Sequence, residues 1–274
     1  MSHQRTAFFV SDRTGVTAES FGESLLNQFT EVKFKHCTIP FVDTLERAQS
    51  VLQKAQEAAQ RDNGRAFIFS SIVSPQIRAV FNSDPQIIHV DYFDAFIPII
   101  EQELGVQANM IAGLTHGISN EESYDARMDA VNFALNNDDG ISEKNFAEAD
   151  VILVGVSRSG KTPTCLYLAL QYGVRAANYP LTPDDLDSPS LPNMIKLYKG
   201  KLFGLTIDPA RLNHIRNERR PDSKYASLEN CRFEVNEAES MFRQHGIPFM
   251  STTHKSVEEL AASILQSTKI KRRC

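Results

Sequence analysis

The chain has 274 residues, and its 29 Lys and Arg against 34 Asp and Glu give a net charge of -5 at pH 7. At about 100–200 residues per domain this length predicts one large domain or two ordinary ones, and a content of 42% hydrophobic and 23% charged residues indicates a folded globular protein. The mild acidity disfavours a general nucleic-acid binder, and the absence of a long apolar run disfavours a membrane protein.

Short apolar strands alternate with helical stretches through the first hundred residues. The predicted strands are Ala7–Ser11, Phe34–Val42, Ala66–Val73 and Gln86–Tyr92. The predicted helices run from just after the turn at Gly15 to about Phe29, over Leu45–Arg61, from Pro75, and over Asp94–Leu104. Such alternation is typical of a parallel sheet covered by helices. We therefore predict an N-terminal α/β domain over residues 1–105, with a role in dimerisation or target docking.

Residues 106–146 interrupt this alternation and are predicted to connect two domains, with one helix near Tyr124–Leu135. The alternation then resumes in a second α/β domain over residues 147–274. Its predicted strands are Asp150–Val154, Arg175–Pro180, Leu202–Ile207 and Pro248–Thr252. Its predicted helices are Lys161–Tyr172, Pro209–Arg216, Leu228–His245 and Ser256–Thr268, with a charged loop at 217–224.

The most specific short motif follows the first strand of the second half. It fits the phosphate-binding pattern G-x-x-x-x-G-K-[ST] at every fixed position, between an apolar strand and a helix. Its residues are Gly155, Val156, Ser157, Arg158, Ser159, Gly160, Lys161 and Thr162. Glycines let backbone N–H groups point at phosphate oxygens, Lys161 reaches the terminal phosphates, and the Thr162 hydroxyl can ligate Mg²⁺. A chance glycine-rich turn is the alternative, and the flanking strand and helix favour the phosphate site.

A kinase built on this loop needs further charged groups. Asp208 follows an apolar strand and is a candidate metal-supporting carboxylate, or else an N-cap for the next helix. Arg219 is the candidate catalytic arginine of a basic lid, or part of a solvated loop. Asp184 is a candidate general base near the acceptor, or a turn residue. The basic segment also contains Arg211, Arg216, Arg220 and Lys224.

At the end of the first strand the sequence allows two interpretations, a second ligand site or a plain structural turn. Asp12 and Thr14 lie where open parallel sheets bind ligands, although a structural turn with Gly15 at positive φ explains the same residues. His116 in a later loop is a candidate phosphate contact or base, with a structural role as the alternative. Asp138 and Asp139 have the composition of a turn, with a metal role as the less favoured interpretation.

Longer strings of the sequence are more specific than the bare loop pattern. They include FFVSDRTGVTAE at 8–19, THG at 115–117, YDAR at 124–127, DDGIS at 138–142, GVSRSGKTPT at 155–164, RAANYPL at 175–181, LFGLTIDP at 202–209 and RLNHIRNERR at 211–220. Through these strings, and over nearly its full length, the chain resembles the family of bacterial phosphoenolpyruvate synthetase regulatory proteins. The wider family also includes the regulators of pyruvate, phosphate dikinase.

The resemblance implies two opposed activities on one protein substrate. One is an ADP-dependent serine/threonine kinase that inactivates phosphoenolpyruvate synthetase by phosphorylating a threonine. The other is a pyrophosphorylase that removes this phosphate with inorganic phosphate and releases pyrophosphate. The implied cofactors are ADP as phosphoryl donor, inorganic phosphate, and Mg²⁺ or Mn²⁺, and the implied assembly is a homodimer.

Other interpretations stay open beside this one. The same two activities could act on pyruvate, phosphate dikinase, or the loop could serve an ATPase or a nucleotide sensor acting on another partner. The four cysteines are widely separated, which is typical of reduced thiols and predicts a cytoplasmic protein without a zinc site. We expect no nucleic-acid partner and no membrane partner.

Overall fold

The computed structural model describes residues 4–112, 121–138, 143–221, 223–268 and 270. The chain divides into two compact units, residues 1–117 and residues 118–274. Each unit contains a four-stranded parallel sheet with helices, which confirms the predicted two-domain α/β fold. Within the described residues, no helix is both long and apolar enough to cross a membrane.

The first unit follows each strand with a helix. Its strands are β1 (Gln4–Ser11), β2 (Lys33–Ile39), β3 (Ala66–Ser71) and β4 (Ile87–Asp91). Its helices are α1 (Val16–Leu26), α2 (Leu45–Arg61), α3 (Pro75–Asn82) and α4 (Tyr92–Leu104). The sheet order is β2-β1-β3-β4. β1 is central and buried from Thr6 onward, because helices cover both faces of a parallel sheet.

The second unit has the same strand order, β6-β5-β7-β8, when strands are counted from its own first strand. Its strands are β5 (Val151–Val156), β6 (Ala176–Leu181), β7 (Leu202–Thr206) and β8 (Phe249–Ser251). Its α-helices are α5 (Glu121–Asn136), α6 (Lys161–Tyr172), α7 (Pro183–Leu186), α8 (Asn193–Lys196), α9 (Pro209–Arg219), α10 (Leu228–His245) and α11 (Val257–Thr268). Short 3-10 helices span Glu143–Glu148, Lys199–Lys201 and Lys224–Ala226.

β5 is the centre of the second core. All of its residues are buried, and alternate residues enter two different hydrophobic clusters. Ile152 and Val154 belong to one cluster, and Val151 and Leu153 belong to the other. This is the period of two expected where both faces of a strand are covered. The carboxyl end of β5 therefore has a well-fixed position, and the phosphate-binding motif begins there.

Several element boundaries differ from the predicted ones, and two of the differences have a clear local reason. β2 ends at Ile39 rather than Val42, because Phe41 has a φ of 58° and the N–H groups of Phe41 and Val42 bond to residues at and just after the end of β1. Tyr92 begins α4 instead of ending β4, because the Asp91 side chain accepts hydrogen bonds from the first helical N–H groups.

The helix α5 comes from the segment predicted to connect the two halves. It lies in the second unit, where Ala130 and Ala134 are buried in the same cluster as Cys165 and Leu168 of α6. The small alanine side chains let the two helices pack closely. The end of α5 is therefore held beside the start of α6.

Candidate functional site

The predicted phosphate-binding loop, residues 155–162, joins β5 to α6 through two residues in the left-handed region. Arg158 has a φ of 77° and Gly160 a φ of 86°, and α6 begins directly after Gly160 at Lys161. A positive φ is strained for arginine, and strained backbone of this kind clusters at functional sites. The loop leads into the N-terminal end of α6, and the dipole of a helix together with the N–H groups of its first turn favours an anion there.

Gly155 occupies a position where a side chain has no room. A Cβ atom there would overlap the backbone oxygen of Leu205 and lie 3.0 Å from the Ser159 hydroxyl. Backbone at the end of β5 therefore closely approaches backbone of β7. The strand order reverses at this point of the sheet, and that is the usual location of a ligand in an open α/β sheet.

We expect Gly155→Ala to destabilise the second unit by about 1–3 kcal/mol, the usual cost of overpacking a filled site. The added methyl group meets backbone, so β5 and β7 must separate and the loop must move. The measurement is thermal unfolding of the variant against wild type. Gly200→Ala is the control, because nothing lies within 4 Å of a Cβ at that position. Equal stability of the two variants would contradict the close approach at Gly155.

Lys161 is the lysine of the loop motif and is only 4% exposed. Its Nζ donates a hydrogen bond of 2.9 Å to the backbone oxygen of Val156. The ammonium group therefore lies at the carboxyl end of β5. A buried ammonium beside a loop of N–H donors is suited to contact phosphate oxygens.

Thr162 forms a polar triangle with two residues from other segments. Its hydroxyl donates to Asp138 Oδ1 at 2.8 Å. Asn178 of β6 donates through Nδ2 to the same Asp138 oxygen at 2.6 Å and to the Thr162 hydroxyl at 3.1 Å. Asp138 lies just beyond α5, and its neighbour Asn137 is tied to β6 by a backbone bond of 3.1 Å from the Asn178 N–H to the Asn137 oxygen. Three separate segments therefore meet at the Thr162 hydroxyl.

The interpretation of Asp138 as a turn former is incomplete, and Asn178 was not singled out from the sequence. The sequence around each of these two residues nevertheless contains a feature that could have pointed to a role at the site. Asn178 is a buried amide inside the apolar string AANYPL, and Asp138 opens the DDGIS string. A buried polar side chain in a strand needs a partner, and here that partner belongs to the loop region. Asp139 lies outside the described residues.

The thiol of Cys165 lies in α6 beside these polar groups and is buried. Burial raises the pKa of this thiol well above its usual range, and the negative charge of Asp138 adds to the rise while Lys161 opposes it. The thiol therefore stays protonated at neutral pH. A protonated, buried thiol is a packing group and not a nucleophile.

Two buried polar atoms at this site have no hydrogen-bond partner among the described residues. They are the Ser159 hydroxyl and Oδ1 of Asn178. Ser159 is 0% exposed. Because leaving a buried polar group unpaired is costly, such atoms favour a bound polar ligand at the loop.

Arg216, predicted as part of a basic lid, is instead buried behind the loop. It is 0% exposed, and its Nη2 donates to the Ser157 backbone oxygen at 3.1 Å and to the Glu234 carboxylate at 2.5 Å. Its Nη1 donates to the backbone oxygen of Tyr225 at 3.0 Å. The Tyr225 hydroxyl donates to the Ser157 hydroxyl at 3.0 Å. Arg216 therefore links α9 and α10 to the phosphate-binding loop.

The other predicted catalytic residues lie at the surface. Asp208 is exposed and caps α9, since its Oδ1 accepts a bond of 2.9 Å from the Arg211 N–H. Arg219 is exposed in the last turn of α9, which continues past the predicted end at Arg216. Asp184 is exposed in the first turn of α7. Among the described residues, no hydrogen bond or ion pair joins any of these three side chains to the phosphate-binding loop.

The predicted second site lies in the first unit. Gly15 has a φ of 84°, as the structural turn requires, and Asp12 Oδ2 accepts a bond of 2.8 Å from the Val73 N–H. Asp12 and exposed Thr14 line a cavity of about 310 Å³ together with Tyr92. His116 lies outside the described residues. A ligand site at Asp12 and Thr14 stays a prediction.

Comparison with known proteins decides the family. A sequence model of one family, described as Kinase/pyrophosphorylase, matches residues 7–265. The chain belongs to this kinase/pyrophosphorylase family. It is 60% identical over 273 residues to a protein of Laribacter hongkongensis and 57% identical over 273 residues to one of Neisseria gonorrhoeae, with 100% of both chains covered in each case. It is 55% identical over 270 residues to one of Dichelobacter nodosus, covering 98% of this chain and 99% of that protein.

All three relatives bear the name "Putative phosphoenolpyruvate synthase regulatory protein". The family indicated by the sequence strings is therefore confirmed. Membership of the kinase/pyrophosphorylase family agrees with a site whose central feature is a predicted phosphate-binding loop at the end of a buried strand.

Proposed function

We propose that this chain regulates phosphoenolpyruvate synthase (synthetase) through two opposed reactions. In the first it transfers the β-phosphoryl group of ADP to a threonine of the synthase. In the second it removes that group with inorganic phosphate and releases pyrophosphate. The observation that carries the proposal is the phosphate-binding loop, with Lys161 buried at its centre, in a chain of the kinase/pyrophosphorylase family.

One loop can serve both directions because both reactions place a phosphate group on the same donors. The loop N–H groups, the N-terminal end of α6 and the Lys161 ammonium would hold either the β-phosphate of ADP or free phosphate. In the forward direction the threonine oxygen attacks the β-phosphorus, its proton goes to a carboxylate, and AMP leaves with the bridging oxygen. Asp184, beyond the end of β6, is our candidate for that carboxylate.

In the reverse direction an oxygen of inorganic phosphate attacks the phosphorus of the phosphothreonine. The P–O bond to threonine breaks, the threonine oxygen takes up a proton, and pyrophosphate is released. Lys161 stabilises negative charge on the transferring group in both directions, and Arg219, which is exposed, is our second candidate for this role.

The residues at Thr162 fit a divalent cation. The Thr162 hydroxyl and the Asp138 carboxylate are hard oxygen donors, which Mg²⁺ and Mn²⁺ prefer, and they lie 2.8 Å apart. We propose that Thr162 and Asp138 hold the metal, with Asn178 orienting the carboxylate. Bound metal would neutralise charge on the phosphates. Asp208 is less suited to this role, since one of its oxygens caps α9.

Asp138→Asn should lower phosphoryl transfer by at least about 10–100-fold, because changing even a group that only supports a metal ligand has an effect of this size. The amide keeps the size of the side chain but removes the negative charge. The Mg²⁺ concentration needed for half-maximal transfer should rise in the same variant. Asp187→Asn, at an exposed carboxylate beyond α7, is the matched control. An unchanged Mg²⁺ requirement in Asp138→Asn would remove Asp138 from the metal site.

The function is tested by incubating the purified chain with β-³²P-labelled ADP and phosphoenolpyruvate synthase. The family resemblance implies that the target threonine lies near a phosphorylated catalytic histidine of the synthase, so the synthase is supplied with and without a phosphate on that histidine. We expect label on a threonine of the synthase, and release of labelled pyrophosphate when inorganic phosphate is then added. If label came from γ-³²P-ATP and not from ADP, ADP would be rejected as the phosphoryl donor. Steady ATP hydrolysis without any labelled protein would favour the ATPase, and inhibition of the synthase without labelling would favour the nucleotide sensor.

A further inference from the structure

A cleft of about 270 Å³ lies in the second unit directly beside the phosphate-binding loop. Gly160 and Pro163 form its wall on the side of the loop and the first turn of α6. The opposite wall comes from the start of α9 and from the segment between β8 and α11. All of these segments follow the carboxyl ends of parallel strands or begin the next helix, so the cleft shares the ligand-binding edge of the sheet with the loop.

Three cationic side chains line this cleft. Arg158 comes from the loop itself, Arg211 from the first turn of α9, and Lys255 from the segment before α11. All three are exposed, and none forms an ion pair with a carboxylate in the part of the chain that the structure describes. Three positive charges around one small cleft favour an anionic ligand.

The remaining wall is aliphatic. Ile207 is buried, and Ile215 and Val257 are half-buried along the cleft. Free phosphate gains nothing from such side chains, whereas a flat ring with weakly polar faces buries apolar surface against them. The combination of cations at the loop and aliphatic side chains beyond it matches a nucleoside phosphate.

We propose that this cleft binds the nucleoside monophosphate part of the phosphoryl donor. The α-phosphate lies among Arg158, Arg211 and Lys255, and the base packs against Ile215 and Val257. The inference rests on the proposed function, because it assumes a nucleoside diphosphate whose β-phosphate occupies the adjoining loop. It adds an asymmetry between the two reactions: ADP occupies both the loop and the cleft, whereas inorganic phosphate occupies the loop alone.

The test compares the affinities of the full chain for ADP, AMP and inorganic phosphate by calorimetric titration. Val257→Trp fills the cleft without changing charge, and Arg211→Gln and Lys255→Gln each remove one cation. We expect each of these variants to weaken ADP and AMP binding by about tenfold or more, since each loses a charged or apolar contact. The affinity for inorganic phosphate should change by less than about twofold in Val257→Trp, because the contacts of inorganic phosphate are confined to the loop.

Arg232→Gln is the matched control, because Arg232 is exposed on α10 and does not line the cleft. Thermal unfolding of every variant shows whether the fold is kept. If Val257→Trp fails to fold, the two exposed cation variants still decide the question. Equal losses of ADP and phosphate affinity would overturn the inference, because the substitutions would then act through the loop.

Two further results separate this inference from the proposed function. Unchanged ADP affinity in all three cleft variants would overturn the assignment of the nucleotide to the cleft, while leaving the proposed kinase activity intact. Weaker binding of phosphorylated synthase, with ADP affinity unchanged, would also overturn it and assign the cations to the protein substrate. Conversely, a wild-type chain that binds ADP through the cleft but labels no threonine would reject the proposed function and support the cleft.

Discussion

Lys161→Ala should lower phosphoryl transfer from ADP by at least about 100-fold, the loss typical of removing one preorganised donor to a transition state. The Lys161 ammonium is the buried cation of the phosphate-binding loop, with 4% exposure. Its position at the end of β5 is set by the 2.9 Å bond from Nζ to the Val156 oxygen. Alanine removes the charge while keeping a residue that is favourable in a helix. The measurement is the rate of threonine labelling by β-³²P-labelled ADP.

The same substitution also tests whether one site serves both directions. If the loop holds the β-phosphate of ADP and free phosphate in turn, the phosphate-dependent release of pyrophosphate should fall with the kinase activity. Lys199→Ala, at an exposed lysine of a 3-10 helix, controls for the loss of one positive charge. A Lys161→Ala variant that loses only the kinase direction would place the second reaction elsewhere in the chain.

The fold and the loop were predictable because both depend on local patterns. Alternation of apolar strands with helical stretches predicts a parallel sheet wherever it occurs. The phosphate-binding motif is contiguous, and its helix begins at Lys161 as its sequence indicates. Short elements were harder: α7 and α8 have four residues each, too few for a periodic pattern.

The partners of the loop were not predictable, because they are distant in sequence. Asp138 is separated by 24 positions from Thr162, and only the packing of α5 on α6 and β6 brings them within hydrogen-bond distance. Composition near Asp138 indicates a turn, and nothing local distinguishes a turn carboxylate from one that contacts the loop. The contact between Asp138 and Thr162 therefore depends on the tertiary structure and not on the local sequence.

The arginines of α9 show that the sequence also did not predict which side chains of one basic segment are buried. In the sequence they form one basic segment, but their contacts in the structure differ. Arg216 lies four positions after buried Leu212 and is itself buried, because its guanidinium contacts the Glu234 carboxylate and the Ser157 oxygen. Arg219 lies on the same side of α9 but in its last turn, where it is exposed, and Arg220 follows the end of the helix. The prediction of a lid treated these side chains as equivalent. The tertiary contacts of Arg216 assign it to the support of the loop.

Arg216→Ala should destabilise the second unit by about 3–5 kcal/mol, the cost of leaving the partner of a buried ion pair uncompensated. Glu234 is 7% exposed, and Arg216 Nη2 lies 2.5 Å from its carboxylate. Removal of the guanidinium also leaves the Ser157 and Tyr225 backbone oxygens without this donor. The measurement is thermal or urea unfolding, with Arg219→Ala, at an exposed side chain in the last turn of the same helix, as the stability control.

A double substitution separates the two parts of this loss. Glu234→Gln in the Arg216→Ala background removes the uncompensated charge, so it should recover part of the stability. It cannot restore the hydrogen bond to Ser157, so the loss of ADP affinity that we expect from Arg216→Ala should remain even where the fold is recovered. Recovery of both quantities would mean that Arg216 serves only to neutralise Glu234. Recovery of stability alone would identify Arg216 as the residue that positions the phosphate-binding loop.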